Sequence, residues 1–196
     1  MLLMIQRSLV LMKPDAVKRG IVGEILHRFE RAGLKIVAMK MVLVDDRLAE
    51  GHYTTSDEQI IGMGNKTLAD CAKFGLSPVE KLGTGDPRKV GEMIWKWNLA
   101  FLKSGPVLAV VFQGAHAVEN IRMLVGPTLP SVAPAGTIRG DFALDSAVAA
   151  NERGRAIYNL VHASGSVEEA EREIKLWFKP QEIMDYKRIH EDLYNY

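Results

Sequence analysis

Cysteine is nearly absent: Cys71 is the only one in 196 residues, so no internal disulfide can form and the fold must rest on its own packing, as suits a reducing cytosol. Long hydrophobic runs are missing too. Crossing a bilayer takes roughly 20 apolar residues, whereas the best candidates, Val107 to Phe112 and Ile36 to Val44, are short or interrupted by Lys40. A membrane-spanning helix is therefore not expected. The opening MLLMIQRSLVLMKPD has no positive region ahead of its apolar run, and Arg7 breaks that run, so it reads as a first strand and not as a secretory signal. Neither sign of charge dominates, with 25 Lys and Arg against 24 Asp and Glu. That balance argues against the broad field that drives non-specific nucleic-acid binding, while leaving room for a local cationic cluster in a cleft. There is no internal repeat and no low-complexity tract. What the chain does have is 47% hydrophobic and 25% charged residues, enough for one compact cytoplasmic domain with a full core.

The order of elements follows from periodicity and punctuation. Ser8 to Met12 is an apolar strand ending at Lys13-Pro14-Asp15, and a helix with Ile21, Ile25, Leu26 and Phe29 on one face follows, stopping at Gly33. Leu34 to Val44 and Val107 to Phe112 supply two more strands, the latter opened by Ser104-Gly105-Pro106. Ala117 to Val125 is a second helix ended by Gly126-Pro127, and Ile157 to Val161 reads as a fourth strand. Joined in order these give β-α-β-β-α-β, the ferredoxin-like split βαβ sandwich of class α+β: an antiparallel sheet with both helices on one face and the other face left for a partner. A further helix is signalled by Ser166 with Glu169 three residues on, and by the stripe Val167, Ala170, Ile174, Trp177. Two segments interrupt the single domain 1–196, at roughly 55–100 and 143–156. The first carries a helix from Thr67 to Phe74 closed by Gly75, and another begun by Asp86-Pro87. The second, Phe142 to Gly154, is Ala-rich and expected as a hairpin or a turn of helix.

Few residues offer chemistry outright. Neither H-E-x-x-H nor paired C-x-x-C occurs, so no residue is assigned as a metal ligand, and His27, His52, His116 and His190 read as isolated surface or core residues. Cys71 on an amphipathic helix reads as core. Gly62-Met63-Gly64-Asn65-Lys66-Thr67 has the wrong glycine spacing for a phosphate loop, and reads as a turn with a helix cap. What remains stands at element ends: Lys13, Arg122, Thr128, Arg139, Asn159 and His162. Three cations, a hydroxyl, an amide and an imidazole would together suit a polyphosphate.

Beyond this, ordered motifs accumulate: L-M-K-P-D (Leu11 to Asp15), R-G-I-V-G-E-I (Arg19 to Ile25), H-Y (His52, Tyr53), S-G-P-V (Ser104 to Val107), G-T-I-R-G-D-F (Gly136 to Phe142), N-L-V-H-A-S (Asn159 to Ser164), S-V-E-E-A-E-R-E-I (Ser166 to Ile174) and W-F (Trp177, Phe178). In these the chain resembles the nucleoside diphosphate kinases, and its inserted segments resemble those of longer, archaeal-type members. The resemblance implies ping-pong transfer of the γ-phosphoryl of a nucleoside triphosphate such as ATP to a nucleoside diphosphate through a phosphohistidine on His162. It implies a catalytic set of His162, Glu173, Ser164, Lys13 and Tyr53, with Glu173 orienting the imidazole and Ser164 bonding to Glu173. It implies nucleotide binding by Lys13, Arg122, Thr128, Arg139 and Asn159. Mg2+ is implied as cofactor, held mainly by the nucleotide's phosphates, and so is a homo-oligomer, hexamer or tetramer, built from dimers.

Two departures stand out. Many members read H-G-S-D-S where this chain has His162-Ala163-Ser164-Gly165-Ser166, which removes a carboxylate near the metal. The aromatic wall of the base site falls at the border of the insertion, where Ile94 and Trp95 are the candidates. Two other functions are open to the fold. A nucleic-acid-binding module would want exposed aromatics on central strands, yet Ser8 to Met12 and Val107 to Val111 have none. A protein-histidine-kinase role would use the same phosphohistidine.

Overall fold

The computed structural model describes residues 5–189. Four strands, β1 (Ile5–Met12), β2 (Lys35–Leu43), β3 (Pro106–Ala115) and β4 (Val161–Ala163), form one sheet in the order β2-β3-β1-β4. Every pairing is antiparallel, with Val10 opposite Val110 and Leu11 opposite His162. This is the α+β ferredoxin-like order expected from the sequence. The helices are α1 (Pro14–Lys18), α2 (Val22–Arg31), α3 (Asp46–His52), α4 (Asp57–Lys73), α5 (Pro78–Leu82), α6 (Pro87–Leu102), α7 (Ala117–Val125), α8 (Ile138–Phe142), α9 (Ala147–Glu152) and α10 (Val167–Trp177). None of the helices among the described residues is long and apolar enough to cross a membrane.

Both faces of the sheet are covered, which corrects the expectation of one free face. Val10 and Met12 point into a core with Ile25 and Phe29 of α2 and Ile121 of α7, where the Phe29 and Phe112 rings lie 4.8 Å apart. Leu9 and Leu11 point the other way, against Leu102, Ile174, Trp177 and Phe178. The stripe on α10 is thus the lid of the second face, and β1 is apolar on both sides because it is buried on both. What stays open is the edge strand β2, where Met39, Met41 and Leu43 are 53%, 56% and 78% exposed.

The fourth strand starts at Val161, four residues later than expected. Leu160 holds φ at +66°, a left-handed conformation that an extended strand cannot pass through. It is clamped there by its N–H on Asp15 Oδ2 at 3.0 Å and its carbonyl on the Lys13 N–H at 2.8 Å. The Lys-Pro-Asp corner after β1 therefore sets the start of β4.

The segment expected as a long insertion also differs in its elements. Gly62 to Thr67 is the middle of α4, not a turn, and the helix begins earlier, at a Ser56/Gln59 capping box. Gly64 and Gly91 are there for packing. A Cβ at Gly64 would sit 1.8 Å from the Pro87 carbonyl oxygen, and one at Gly91 would sit 1.9 Å from that of Ile60, so the backbones of α4 and α6 touch. Asp86 caps α6 by accepting from the Arg88 and Lys89 N–H groups, as its sequence predicts. Cys71, Leu82 and Val90 form a satellite core with Ile94 and Trp97. Residues 143–156, expected as a second insertion, contain the short helix α9.

Gly64→Ala gains about 1 kcal/mol of helix propensity but drives a methyl into a backbone atom that cannot rotate away. A net loss of about 2 kcal/mol is expected, seen as a lower urea midpoint with an unchanged slope.

Candidate active site

The site forms where the end of β1, β4, α10 and the end of α3 meet. His162 on β4 places Nε2 2.9 Å from Glu173 Oε1 and 3.0 Å from Oε2. Ser164 donates its hydroxyl to Glu173 Oε2 at 2.7 Å and accepts the Leu9 N–H at 3.2 Å, so the serine fastens the carboxylate to β1. Glu173 is 1% exposed. Burial pushes its carboxyl up, opposed by His52, Ser164 and Arg172. Burial, then the charge of Lys13, push the His162 imidazole down to about 3. A neutral ring bonded through Nε2–H to an acceptor keeps its lone pair on Nδ1.

Around this pair the cations are braced. Lys13, 7% exposed, donates from Nζ to Asn159 Oδ1 at 2.8 Å, and Asn159 donates on to the Thr128 carbonyl at 2.8 Å. Burial, and next to it Arg139, push the Lys13 ammonium down to about 8. Arg139, on α8, spends Nε on the Asn159 carbonyl at 3.1 Å, Nη1 on Gly126 at 2.8 Å and Nη2 on Val161 at 2.5 Å. Three of its five N–H donors thus hold the loops that frame His162, a role its position in the sequence does not reveal. Arg139→Lys would leave buried carbonyls unpaired, and is expected to cost about 2–4 kcal/mol in urea unfolding.

The other expected residues are placed as follows. Arg122 on α7 is exposed, and a Cβ at Gly165 would lie 3.5 Å from its Nη1. Thr128 joins the network through its carbonyl, with its side chain exposed. Tyr53 ends α3 with its ring 4.8 Å from that of His52, and burial pushes its phenol up. Neither candidate for the aromatic wall stands free. Trp95 donates its indole N–H to the Tyr53 carbonyl at 2.9 Å, and Ile94 packs into the satellite core.

Three residues contribute unexpectedly. Asp15 clamps Leu160, as described. His52, which the sequence presents as an isolated residue, lies edge-on to His162 with ring centroids 4.3 Å apart and 84° between planes. Trp177 of α10 donates to His52 Nδ1 at 3.3 Å. The H-Y pair was visible in the sequence, but nothing local says that α3 turns it onto β4. His190 falls outside the described residues.

At Gly165, where the resemblance removes a carboxylate, Glu169 has moved in. Its Oε2 accepts the Gly165 N–H at 2.7 Å and would stand 2.6 Å from any Cβ there. Ser166 caps α10 through the Glu169 N–H, while the glutamate side chain closes on Gly165 instead of completing a capping box. His52, His162 and Glu173 bring three donor atoms within 4.8 Å of one another. The Glu173 oxygens, His162 Nε2 and His52 Nδ1 are engaged in the bonds above, so the trio is built as a hydrogen-bonded network and lacks the all-oxygen shell that Mg2+ prefers.

Comparison with known proteins places the chain in a family. A family model described as nucleoside diphosphate kinase matches residues 6–61 and 87–183; residues 62–86, between the two matches, run from within α4 to the cap of α6. A nucleoside diphosphate kinase of Pyrobaculum aerophilum is 48% identical over 92% of this chain and 99% of its own length. The crystal structure of an NDP kinase from that organism superposes with a TM-score of 0.89 at 47% identity, covering 92% of this chain and 100% of that one. A Borrelia burgdorferi nucleoside-diphosphate kinase, solved as a transition state mimic with vanadate and ADP, superposes with a TM-score of 0.77 at 38% identity, covering 95% of each chain.

Proposed function

Since the chain belongs to the nucleoside diphosphate kinase family, and so transfers phosphoryl groups between nucleotides, we propose that His162 is its phosphoryl carrier. The Nδ1 lone pair attacks the terminal phosphorus of a nucleoside triphosphate, the bond to the bridging oxygen breaks and the diphosphate leaves. A second diphosphate then takes the group from Nδ1. The observation that carries this assignment is the Nε2 bond to Glu173, which leaves one ring nitrogen free and offsets the positive charge the ring acquires. Lys13, Arg122 and Arg139 are the cations for the phosphates, Asn159 and Lys13 the contacts for the sugar hydroxyls, and Thr128 and Tyr53 the flanking hydroxyls. The Borrelia burgdorferi relative, solved as a transition state mimic with bound vanadate and ADP, supports reading the chemistry as phosphoryl transfer.

Mg2+ enters with the nucleotide. The side chains on the phosphate side are cationic, and Glu169 is already bonded to Gly165, which suits an ion carried by phosphates and water and not by a protein cage. When bound it neutralises phosphate charge. Assembly into dimers and higher oligomers is supported by Met39, Met41 and Leu43 on the edge strand, an apolar row in need of cover. The single buried Cys71 suits a cytosolic setting.

The test is a pulse of γ-labelled ATP. Label that survives alkali, is lost in acid, and leaves on addition of GDP supports the assignment. Folded protein that takes no label rejects it. The nucleic-acid-binding alternative gains nothing here, since both sheet faces are covered by helices and a carboxy-terminal segment.

A further inference from the structure

Resting on the assignment of His162 as carrier, we propose that His52 is a positioning residue for the transfer: Trp177 fixes its proton on Nε2, so it shows Glu173 only a lone pair and leaves that carboxylate's acceptor strength to His162 and Ser164.

The tautomer follows from donor bookkeeping. An indole N–H can only donate, and Trp177 is 3% exposed, so its N–H needs a protein acceptor. His52 Nδ1 is that acceptor, at 3.3 Å. A nitrogen that accepts carries no proton, so the proton of neutral His52 sits on Nε2, which is buried without a partner. His52 Nδ1 and Glu173 Oε1 then face each other as two lone pairs 3.5 Å apart, a spacing at which no hydrogen bond joins them. Were His52 to bind a second proton on Nδ1, the ring would become an ion-pair partner of Glu173, and Trp177 would lose its acceptor.

The groups facing His52 discourage that second proton. His162 comes from β4, Lys13 from the end of β1, Glu173 and Arg172 from α10, and Tyr53 from its own helix end. Burial is the largest influence and holds the imidazole well below its ordinary value; His162, Lys13 and Arg172 act in the same direction, and Glu173 alone opposes.

The consequence lies in the chemical step. As Nδ1 of His162 bonds to phosphorus, its ring turns cationic and the charge is offset through Nε2–H by Glu173. A charged His52 ring, with its centroid only 4.3 Å away, would compete for that carboxylate and repel the developing cation. A neutral one does neither, and its edge-to-face packing also fixes the plane of the nucleophile.

Two measurements test this. In the wild-type protein, 15N imidazole shifts should report His52 as neutral with its proton on Nε2 from pH 5 to 9; a proton on Nδ1, or a charged ring in that range, overturns the proposal without any variant. Single-turnover phosphorylation by MgATP then tests function. His52→Leu should react about tenfold or more slowly with nucleotide affinity unchanged. His52→Asn, whose amide oxygen can still accept from Trp177, should recover most of the rate. Trp177→Phe frees His52 Nδ1 and should move the acid limb of the rate profile to higher pH, a shift that the Trp177→Phe/His52→Leu double variant loses. Folded His52→Leu at wild-type rate, or His52→Asn as slow as His52→Leu, overturns the proposal. Wild-type protein that takes no phosphoryl group at all would instead remove the carrier assignment beneath it, while the 15N result would still decide the tautomer.

Discussion

His162→Ala keeps the fold and forms no phosphoenzyme. The side chain is 18% exposed, and the strand around it is held by backbone bonds to β1 and by Ser164, none of which the substitution touches. The buried Glu173 carboxylate does lose its Nε2 partner, so the fold remains but its unfolding free energy should drop by about 1–3 kcal/mol. The transfer, in contrast, loses its only covalent route, and exchange between ATP and GDP should fall by on the order of 10⁴-fold or more. Direct transfer between two nucleotides would need both bound at once in line. A cleft with one braced set of cations does not offer that. Acid-labile label and steady-state exchange, measured on the same sample, check both halves of the expectation.

Lys13→Ala gives the second large effect. Its ammonium is buried, tied to Asn159 and close to Arg139, so it is a preplaced donor that needs no reorganisation when phosphoryl charge spreads in a loose transition state. Loss of such a donor slows turnover by roughly 10²–10³-fold, or about 3–4 kcal/mol. The same burial gives a pH signature with a definite sign. Lys13 is pushed down to about 8, so the free enzyme loses this cation as pH rises through that value, and kcat/KM should fall on the alkaline side. Bound phosphate favours the charged form, so the matching limb of kcat should lie higher. His162, already neutral above about 3, sets no limb near neutrality. Lys13→Arg keeps a charge at every pH and should lose the alkaline limb, while its wider fork fits the pocket poorly and restores little of the rate. A wild-type profile flat to pH 9.5 would contradict this account of Lys13.

Local signals carried much of the fold. The apolar run of β1, the α7 stripe ending at Gly126-Pro127 and the Asp86-Pro87 start of α6 were legible because each is fixed by neighbours in sequence. Tertiary causes were not. Gly62 and Gly64 look like a turn because the reason for Gly64, a carbonyl of α6 pressed against it, lies more than twenty residues away. Leu160 looks like a strand residue because the Asp15 carboxylate that bends it belongs to the far end of the sequence. The site behaved likewise. The motifs single out Lys13, Asn159 and Arg139, which share one hydrogen-bonded set, and His162, Ser164 and Glu173, which share another. The bracing duty of Arg139 and the place of His52 against His162 depend on how helices cross, which periodicity does not encode.

The central claim is that Glu173 holds Nε2 of His162 and leaves Nδ1 to carry the phosphoryl group. The most direct measurement is 31P NMR of the phosphoenzyme under mildly alkaline, denaturing conditions, where the two phosphoimidazole isomers are distinguishable. Phosphorus on Nδ1 of His162 is the predicted result; phosphorus on Nε2, or on any other side chain, contradicts it.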